Sequence, residues 1–140
     1  MSSTGKVSIF LVEDEDRLRN LVKHFLKDEG FDVIEAADGG EAVEIYRTQG
    51  PFDLILLDLN LPVFSGVEVC RQIKQIEPGQ RIVICSAAVV QEHETALTDL
   101  GVTRFLTKPY HPDDLIQQIQ EVTGENANRP IWVRSVAASL

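Results

Sequence analysis

The chain has 140 residues, of which 44% are hydrophobic and 25% are charged, and its formal net charge at pH 7 is −9. This length supports one domain with a proper core, and the composition excludes a disordered or fibrous protein. The acidic balance argues against direct binding to nucleic acid or to an anionic membrane, because like charges repel, and it favours partner proteins with basic or mixed surfaces.

Short apolar runs alternate with longer stretches of helical period along the chain. Several of the runs are too continuously apolar to leave one face in water, which is typical of strands in a covered parallel sheet. The predicted strands are residues 7–12, 32–36, 53–57, 81–85 and 103–107.

Each strand is followed by a stretch that predicts a helix with one apolar stripe. The stripe of the first helix is Leu18, Leu21, Val22, Phe25 and Leu26, and Gly30 ends that helix. The next three are predicted over about 40–49, 66–76 and 90–100, with the fourth the least amphipathic. The third is expected to bury Val69, Cys70, Ile73 and Ile76, and the fifth spans about 113–122.

Five strand–helix units with right-handed crossovers predict an α/β fold. We expect a three-layer, doubly wound, five-stranded parallel sheet in the order 2-1-3-4-5, which is the flavodoxin-like arrangement. The domain is expected to span residues 1–124, followed by a C-terminal tail at 125–140.

Charged residues directly follow three of the apolar runs. Glu13 and Asp14 follow the first, Asp58 follows the third and Lys108 follows the fifth. Because the carboxyl ends of parallel strands meet at one edge of a sheet, these side chains should share a crevice. Three carboxylates repel one another unless a cation is present, and Mg²⁺ takes oxygen ligands with positions left for water or phosphate. The sequence therefore predicts a magnesium site used for phosphate chemistry.

Within this crevice, Asp58 is the predicted nucleophile toward a phosphoryl group. Ser86 follows the fourth apolar run and is placed to donate its hydroxyl to a phosphoryl oxygen, while Lys108 offers a positive charge to another. Each residue alone has a simpler interpretation, such as a helix cap, a turn residue or a solvated charge. Their common position at one edge of the sheet favours a site.

Together these residues resemble the receiver domain of two-component response regulators, including the small single-domain response regulators of chemotaxis. The resemblance covers about residues 7–123. Four segments carry it, in the expected order at the strand ends: 10–15 (FLVEDE), 58–66 (DLNLPVFSG), 84–87 (ICSA) and 108–109 (KP).

The resemblance implies a phosphorylation-activated switch and not an enzyme in the usual sense. Asp58 would accept a phosphoryl group from a sensor histidine kinase or a histidine phosphotransfer protein, with Mg²⁺ required, and the domain would assist its own phosphotransfer and dephosphorylation. Glu13, Asp14, Asp58 and the backbone carbonyl of Asn60 would hold the metal. Output would pass to a protein partner at the face of the fourth helix, fifth strand and fifth helix.

The resemblance also implies a switch pair. Phe105 matches the position of an aromatic residue that turns inward when the hydroxyl at Ser86 moves toward the phosphoryl group. Glu13 replaces a commoner Asp, Ser86 a commoner Thr and Phe105 a usual Tyr, and Ser65 stands where an acidic or amide residue is common. The changes at Glu13 and Ser86 keep the function while altering the reach of these groups, and Phe105 lacks the hydroxyl with which the inward tyrosine could form a hydrogen bond.

Two other classes use a related architecture. A Mg²⁺-dependent phosphohydrolase of haloacid dehalogenase type also has a strand-end Asp nucleophile, but it needs a second Asp two residues later, where this chain has Asn60. A flavodoxin-like flavin-binding module needs a first loop rich in Ser, Thr and Gly, and the acidic loop here would repel the flavin phosphate.

The remaining features concern location and the end of the chain. No apolar run approaches the roughly 20 residues that span a bilayer, and 1–6 lack the regions of a signal peptide, so we expect a cytoplasmic protein. Cys70 and Cys85 show no paired spacing and are expected to be reduced and buried. The tail carries the single tryptophan, Trp132, and is expected to pack on the domain or to contribute to a homodimer.

Overall fold

The computed structural model describes residues 6–87 and 91–124. The strands are β1 (Ser8–Val12), β2 (Asp32–Ala36), β3 (Leu54–Leu57), β4 (Ile82–Ser86) and β5 (Arg104–Thr107). The helices are α1 (Asp16–Asp28), α2 (Gly39–Gln49), α3 (Gly66–Ile76), α4 (Gln91–Asp99) and α5 (Pro112–Thr123).

The five strands form one parallel sheet in the order β2-β1-β3-β4-β5. Each strand begins and ends within one residue of its predicted bounds. The predicted flavodoxin-like α/β fold is therefore confirmed. The strand order puts β1 beside β3, so the carboxyl ends of these two strands, where Glu13, Asp14 and Asp58 follow, are neighbours.

Successive side chains of the strands point to opposite faces of the sheet and enter two apolar clusters. In β1, Phe10 and Val12 belong to the cluster that also contains residues of α2 and α3, whereas Ile9 and Leu11 belong to the cluster with residues of α1 and α5. The central strand β3 is buried throughout. Both faces of the sheet are thus covered, as continuously apolar strands require.

Two residues assigned to buried helix stripes prove to be exposed. Leu21 of α1 is 67% exposed, because it lies at the edge of the stripe while Val22, Phe25 and Leu26 fill its centre. Ile76 is 47% exposed because it is the last residue of α3, where the chain leaves the sheet. The prediction that both face the core is wrong.

Both cysteines behave as small apolar core residues. Cys70 and Cys85 are buried free thiols, and burial raises the pKa of each to about 12. A thiol with such a pKa holds almost no reactive thiolate at neutral pH. The sequence-based prediction of reduced, buried cysteines is confirmed.

Two further predictions concern the membrane and the tail. Within 6–87 and 91–124, no helix combines the length and the apolar character that crossing a membrane requires. The tail at 125–140, with Trp132, lies outside the described residues, and its packing stays a prediction.

Candidate functional site

The candidate site lies at the carboxyl edge of the sheet, where three residues continue the strand pairing by one more hydrogen bond. This pairing fixes the backbone of each residue before its side chain turns into the crevice. The N–H of Glu13 donates to Ala36 O at 3.1 Å, and the N–H of Asp58 donates to Val12 O at 3.1 Å. The N–H of Lys108 donates to Ser86 O at 2.9 Å.

Lys108 bridges the two buried carboxylates of the crevice. Its Nζ lies 2.5 Å from Oε1 of Glu13 and 3.0 Å from Oδ2 of Asp58. Glu13 is 3% exposed and Asp58 is 5% exposed. The long side chain of lysine crosses from β5 over the end of β4 to reach these groups, as the sequence predicted.

The crevice affects the ionisation of these residues in different ways. Burial raises the pKa of Glu13, and the hydrogen bond from Lys108 offsets this effect only in part. Burial alone would lower the pKa of Lys108, but the hydrogen bonds to Glu13 and Asp58 more than compensate, so its pKa lies above the ordinary value. Lys108 is therefore an ammonium at neutral pH and acts as a fixed positive charge.

The carboxylates of Glu13, Asp14 and Asp58 lie close enough to hold one metal ion. One oxygen from each lies within 4.8 Å of the others. Two oxygens bound to one Mg²⁺ ion stand at most roughly 4.2 Å apart at the usual ligand distance of about 2.1 Å, so oxygens within 4.8 Å of one another need only a small adjustment to bind this ion. Asp14 is exposed whereas the other two are buried, so the cluster has one side toward solvent.

The simpler interpretation of the acidic pair as a helix cap accounts for part of this geometry. Oε2 of Glu13 accepts a hydrogen bond from the backbone N–H of Glu15 at 3.1 Å. Glu15 itself occupies the N-cap position of α1 and makes no side-chain capping bond. Glu13 thus accepts a hydrogen bond from an N–H at the start of α1 with Oε2 and one from the ammonium of Lys108 with Oε1.

The loop after Asp58 is held tightly against the end of β3. Oδ1 of Asp58 accepts a hydrogen bond from the backbone N–H of Asn60 at 3.1 Å. Gly66 closes the loop by donating its N–H to Leu59 O at 2.8 Å, and a Cβ at position 66 would lie 2.4 Å from the carbonyl oxygen of Asp58. Only glycine permits this close approach. The role of the Asn60 carbonyl as a metal ligand stays a prediction.

Ser65 has a structural role at this position. It is the N-cap of α3, and its hydroxyl accepts a hydrogen bond from the N–H of Glu68 at 3.3 Å. Ser65 therefore favours the start of α3.

Ser86 and Phe105 lie on the same face of the sheet. Phe105 pairs with Ile84 across β4 and β5, and Ser86 lies two residues beyond Ile84, so alternation along the strand puts both on one side. Ser86 is buried at 1% exposure, while Phe105 is half-buried against the cluster that contains residues of α2 and α3. The predicted switch pair is thus close in the fold, and its movement stays a prediction.

Two features near the site were missed by the sequence analysis. Tyr110 is half-buried against the α1–α5 side of the core, and burial raises the pKa of its hydroxyl, with Cys85, Glu13 and Asp58 contributing to the rise. Val63, in the loop after Asp58, has a φ of +73° and is 74% exposed. A β-branched residue in the left-handed region is a genuine outlier, so Val63 is strained.

The strain at Val63 predicts that Val63→Gly stabilises the fold. A residue with a Cβ pays a steric penalty of about 1–2 kcal/mol at a positive φ, and glycine avoids this penalty. Glycine loses more conformational entropy on folding than valine does, which offsets part of the gain. We expect a net gain of roughly 0.5–1 kcal/mol in the free energy of unfolding, measured by urea denaturation. Val63→Ile, which keeps the β-branch and the strain, should leave the stability near that of the parent chain. A lower stability for Val63→Gly would show that the loop imposes no strain.

The chain matches known proteins over most of its length. Residues 9–120 match the response regulator receiver domain family. The chemotaxis protein CheY of Bacillus subtilis is 33% identical over 114 residues, which cover 81% of this chain and 94% of that protein.

Solved structures agree with the observed fold. A CheY-like receiver domain from Methanospirillum hungatei superposes with a TM-score of 0.82 at 26% identity, covering 86% of this chain and 96% of that one. The receiver domain of the sensor histidine kinase PA1611 from Pseudomonas aeruginosa has a TM-score of 0.77 at 28% identity, with 86% and 100% coverage. That domain holds a magnesium ion in its active-site cleft.

A flavodoxin-like sheet with buried carboxylates and a lysine at its carboxyl edge defines a class of phosphate-handling domains. Within that class, the chain belongs to the family of response regulator receiver domains. It is accordingly a phosphoacceptor signalling domain of two-component systems and not a classical enzyme, as the resemblance implied. Neither the family match nor these relatives support the phosphohydrolase alternative.

Proposed function

We propose that Asp58 is the phosphoacceptor and receives its phosphoryl group from the phosphohistidine of a sensor histidine kinase or a histidine phosphotransfer protein. The observation that carries the proposal is the position of the Asp58 carboxylate. One of its oxygens faces Lys108 at 3.0 Å, and the other accepts from the N–H of Asn60 at 3.1 Å. The carboxylate is therefore buried, oriented and next to a permanent positive charge.

The transfer exchanges one bond to phosphorus for another. An oxygen of Asp58 forms a bond to phosphorus as the phosphorus–nitrogen bond of the donor breaks, and the electron pair of that bond stays on the imidazole. Lys108 lies near enough to contact an oxygen of the bound phosphoryl group, and Ser86 donates its hydroxyl to another. The same contacts would help the domain to hydrolyse its own acyl phosphate.

Glu13, Asp14, Asp58 and the backbone carbonyl of Asn60 would hold Mg²⁺. The bound ion supplies positive charge that lowers the repulsion between the carboxylates and the incoming phosphate. This assignment is supported by the three carboxylates, each with one oxygen within 4.8 Å of the others, and by the exposure of Asp14.

Output would reach a partner protein through α4, β5 and α5 in the cytoplasm. Among the described side chains of α4, Leu97 alone is fully buried. A helix held by so few buried contacts can change position at low cost. Phe105 packs against the same apolar cluster as Leu97, and Ser86 lies on the same face of the sheet as Phe105. A movement of this pair toward the phosphoryl group would therefore alter the α4–β5 surface.

This switch predicts a change in amide hydrogen exchange after addition of Mg²⁺ and beryllofluoride, a phosphoryl mimic. Exchange rates should change several-fold in α4 and β5 as well as in the loop after Asp58. Ser86→Ala removes the hydroxyl that links the site to Phe105, so it should keep the change in the loop and lose most of the change in α4. Changes confined to residues 58–66 in the parent chain would contradict the proposed output surface.

A further inference from the structure

The face opposite α3 and α4 carries an open apolar groove between α1 and α5. The groove has a volume of about 360 Å³, and His24 and Asp28 form part of its polar rim. Its apolar walls include Leu18, Leu21, Val22, Phe25, Tyr110 and Leu115. We call it the α1–α5 groove. The exposure of Leu21 is a consequence of this opening, because no described element covers the outer side of α1 there.

We propose that residues 130–136 of the same chain occupy the α1–α5 groove. This segment has the sequence PIWVRSV and follows the polar stretch ENANR at 125–129. It combines a tryptophan with three β-branched apolar side chains, which are Ile131, Val133 and Val136. In water these side chains would be costly to leave exposed, and a preformed apolar groove of this size accepts such residues.

The segment can reach the groove without stretching the chain. The last described residue, Gly124, has a φ of +73° in the left-handed region, which turns the chain away from the axis of α5. Leu115, which lines the groove, lies nine residues before Gly124, and this corresponds to about 13–14 Å along the axis of α5 at 1.5 Å per residue. Residues 125–129 span up to about 16–18 Å when extended, so residue 130 can return to the level of Leu115.

The charges of the two surfaces are complementary. The side chains of residues 125–140 include two arginines and one glutamate, a net charge of +1, whereas those of residues 1–124 include 11 basic and 21 acidic residues, a net charge of −10. Arg134 lies inside the proposed docking segment, and Asp28 lies on the rim of the groove. The acidic domain therefore attracts the arginine side chains of the tail.

Covalent linkage favours this occupant over a second copy of the chain. A short flexible linker holds its end at an effective concentration on the order of millimolar near the domain. A second copy at micromolar concentration would compete poorly for the same groove.

The fluorescence of Trp132, the single tryptophan, tests the proposal in the full-length chain. We expect emission at shorter wavelength than that of N-acetyl-tryptophanamide and a quenching constant with acrylamide that is several-fold lower, both independent of protein concentration. Leu21→Glu places a charge in the groove at an exposed position, so it should restore free emission and free quenching. Ile76→Glu, an exposed residue on the opposite face, is the matched control and should change neither.

A second measurement leaves the domain unaltered. Trp132→Ala should shift backbone amide resonances along α1 and from Tyr110 to Leu115, and leave those of α2 and α3 in place. Emission and quenching of the parent chain equal to those of the free compound would overturn the proposal. Three other results would also overturn it. The first is a Trp132 that is protected from acrylamide and stays protected in Leu21→Glu. The others are a protection that rises with protein concentration, and amide shifts confined to other faces of the domain.

Discussion

Asp58→Asn will abolish the transfer of a phosphoryl group to this chain from acetyl phosphate in the presence of Mg²⁺. The amide of asparagine lacks the anionic oxygen that attacks phosphorus, whereas its carbonyl can still accept the hydrogen bond from the N–H of Asn60. The fold should therefore persist while the reaction is lost. Intact mass spectrometry should show one added phosphoryl group on the parent chain, removed by brief alkaline treatment, and none on the variant.

Asp38→Asn is the matched control for this experiment. Asp38 is the N-cap of α2, and its side chain accepts from the N–H of Glu41 at 2.7 Å. Asparagine caps helices about as well as aspartate, so this variant should fold and gain the phosphoryl group like the parent chain. An Asp58→Asn variant that gains the same alkali-labile group would assign the reaction to another carboxylate.

Saturating Mg²⁺ will raise the free energy of unfolding by about 2.7 kcal/mol at 100 times the dissociation constant. The physical reason is the crowding of Glu13, Asp14 and Asp58, whose closest oxygens lie within 4.8 Å of one another. Lys108 neutralises the two buried carboxylates only in part, because it contributes one positive charge against two negative ones. Urea unfolding with and without Mg²⁺, at matched ionic strength, measures the gain.

Asp14→Asn separates the metal effect from general screening. Asp14 is the exposed member of the cluster, so its replacement leaves no buried charge without a partner. The variant should lose most of the gain from Mg²⁺, and its stability without the ion should equal or exceed that of the parent chain because one repulsion is removed. If Mg²⁺ stabilises parent and variant equally, the ion binds outside this cluster.

The sequence predicted the sheet and the charged crevice well because both depend on local signals. Buried parallel strands appear as continuous apolar runs, and parallel topology then determines that residues following those runs meet at one edge. Glu13, Asp58 and Lys108 could be brought together on this basis alone. The sequence put Lys108 in this crevice, whereas its contacts with both buried carboxylates became clear from the structure.

Other features depend on tertiary contacts that no local pattern contains. The apolar stripe of α1 shows on which side of the helix Leu21 lies, but it does not show whether another element covers the edge of that stripe. The exposure of Leu21 was therefore missed. The positive φ of Val63 contradicts the preference of valine and follows from a tight turn in which the N–H of Phe64 donates to Pro62 O at 2.9 Å. The α1–α5 groove likewise depends on how two helices distant in sequence lie on the sheet.

The central claim is that Asp58 carries the phosphoryl group, and the most direct measurement is chemical trapping of the acyl phosphate. Borohydride reduces an aspartyl phosphate to homoserine, which peptide sequencing by mass spectrometry locates to a single residue. After reaction of the parent chain with acetyl phosphate and Mg²⁺, homoserine should appear at position 58 and at no other aspartate. Homoserine at Asp14 or at another aspartate, with none at position 58, would contradict the proposed site.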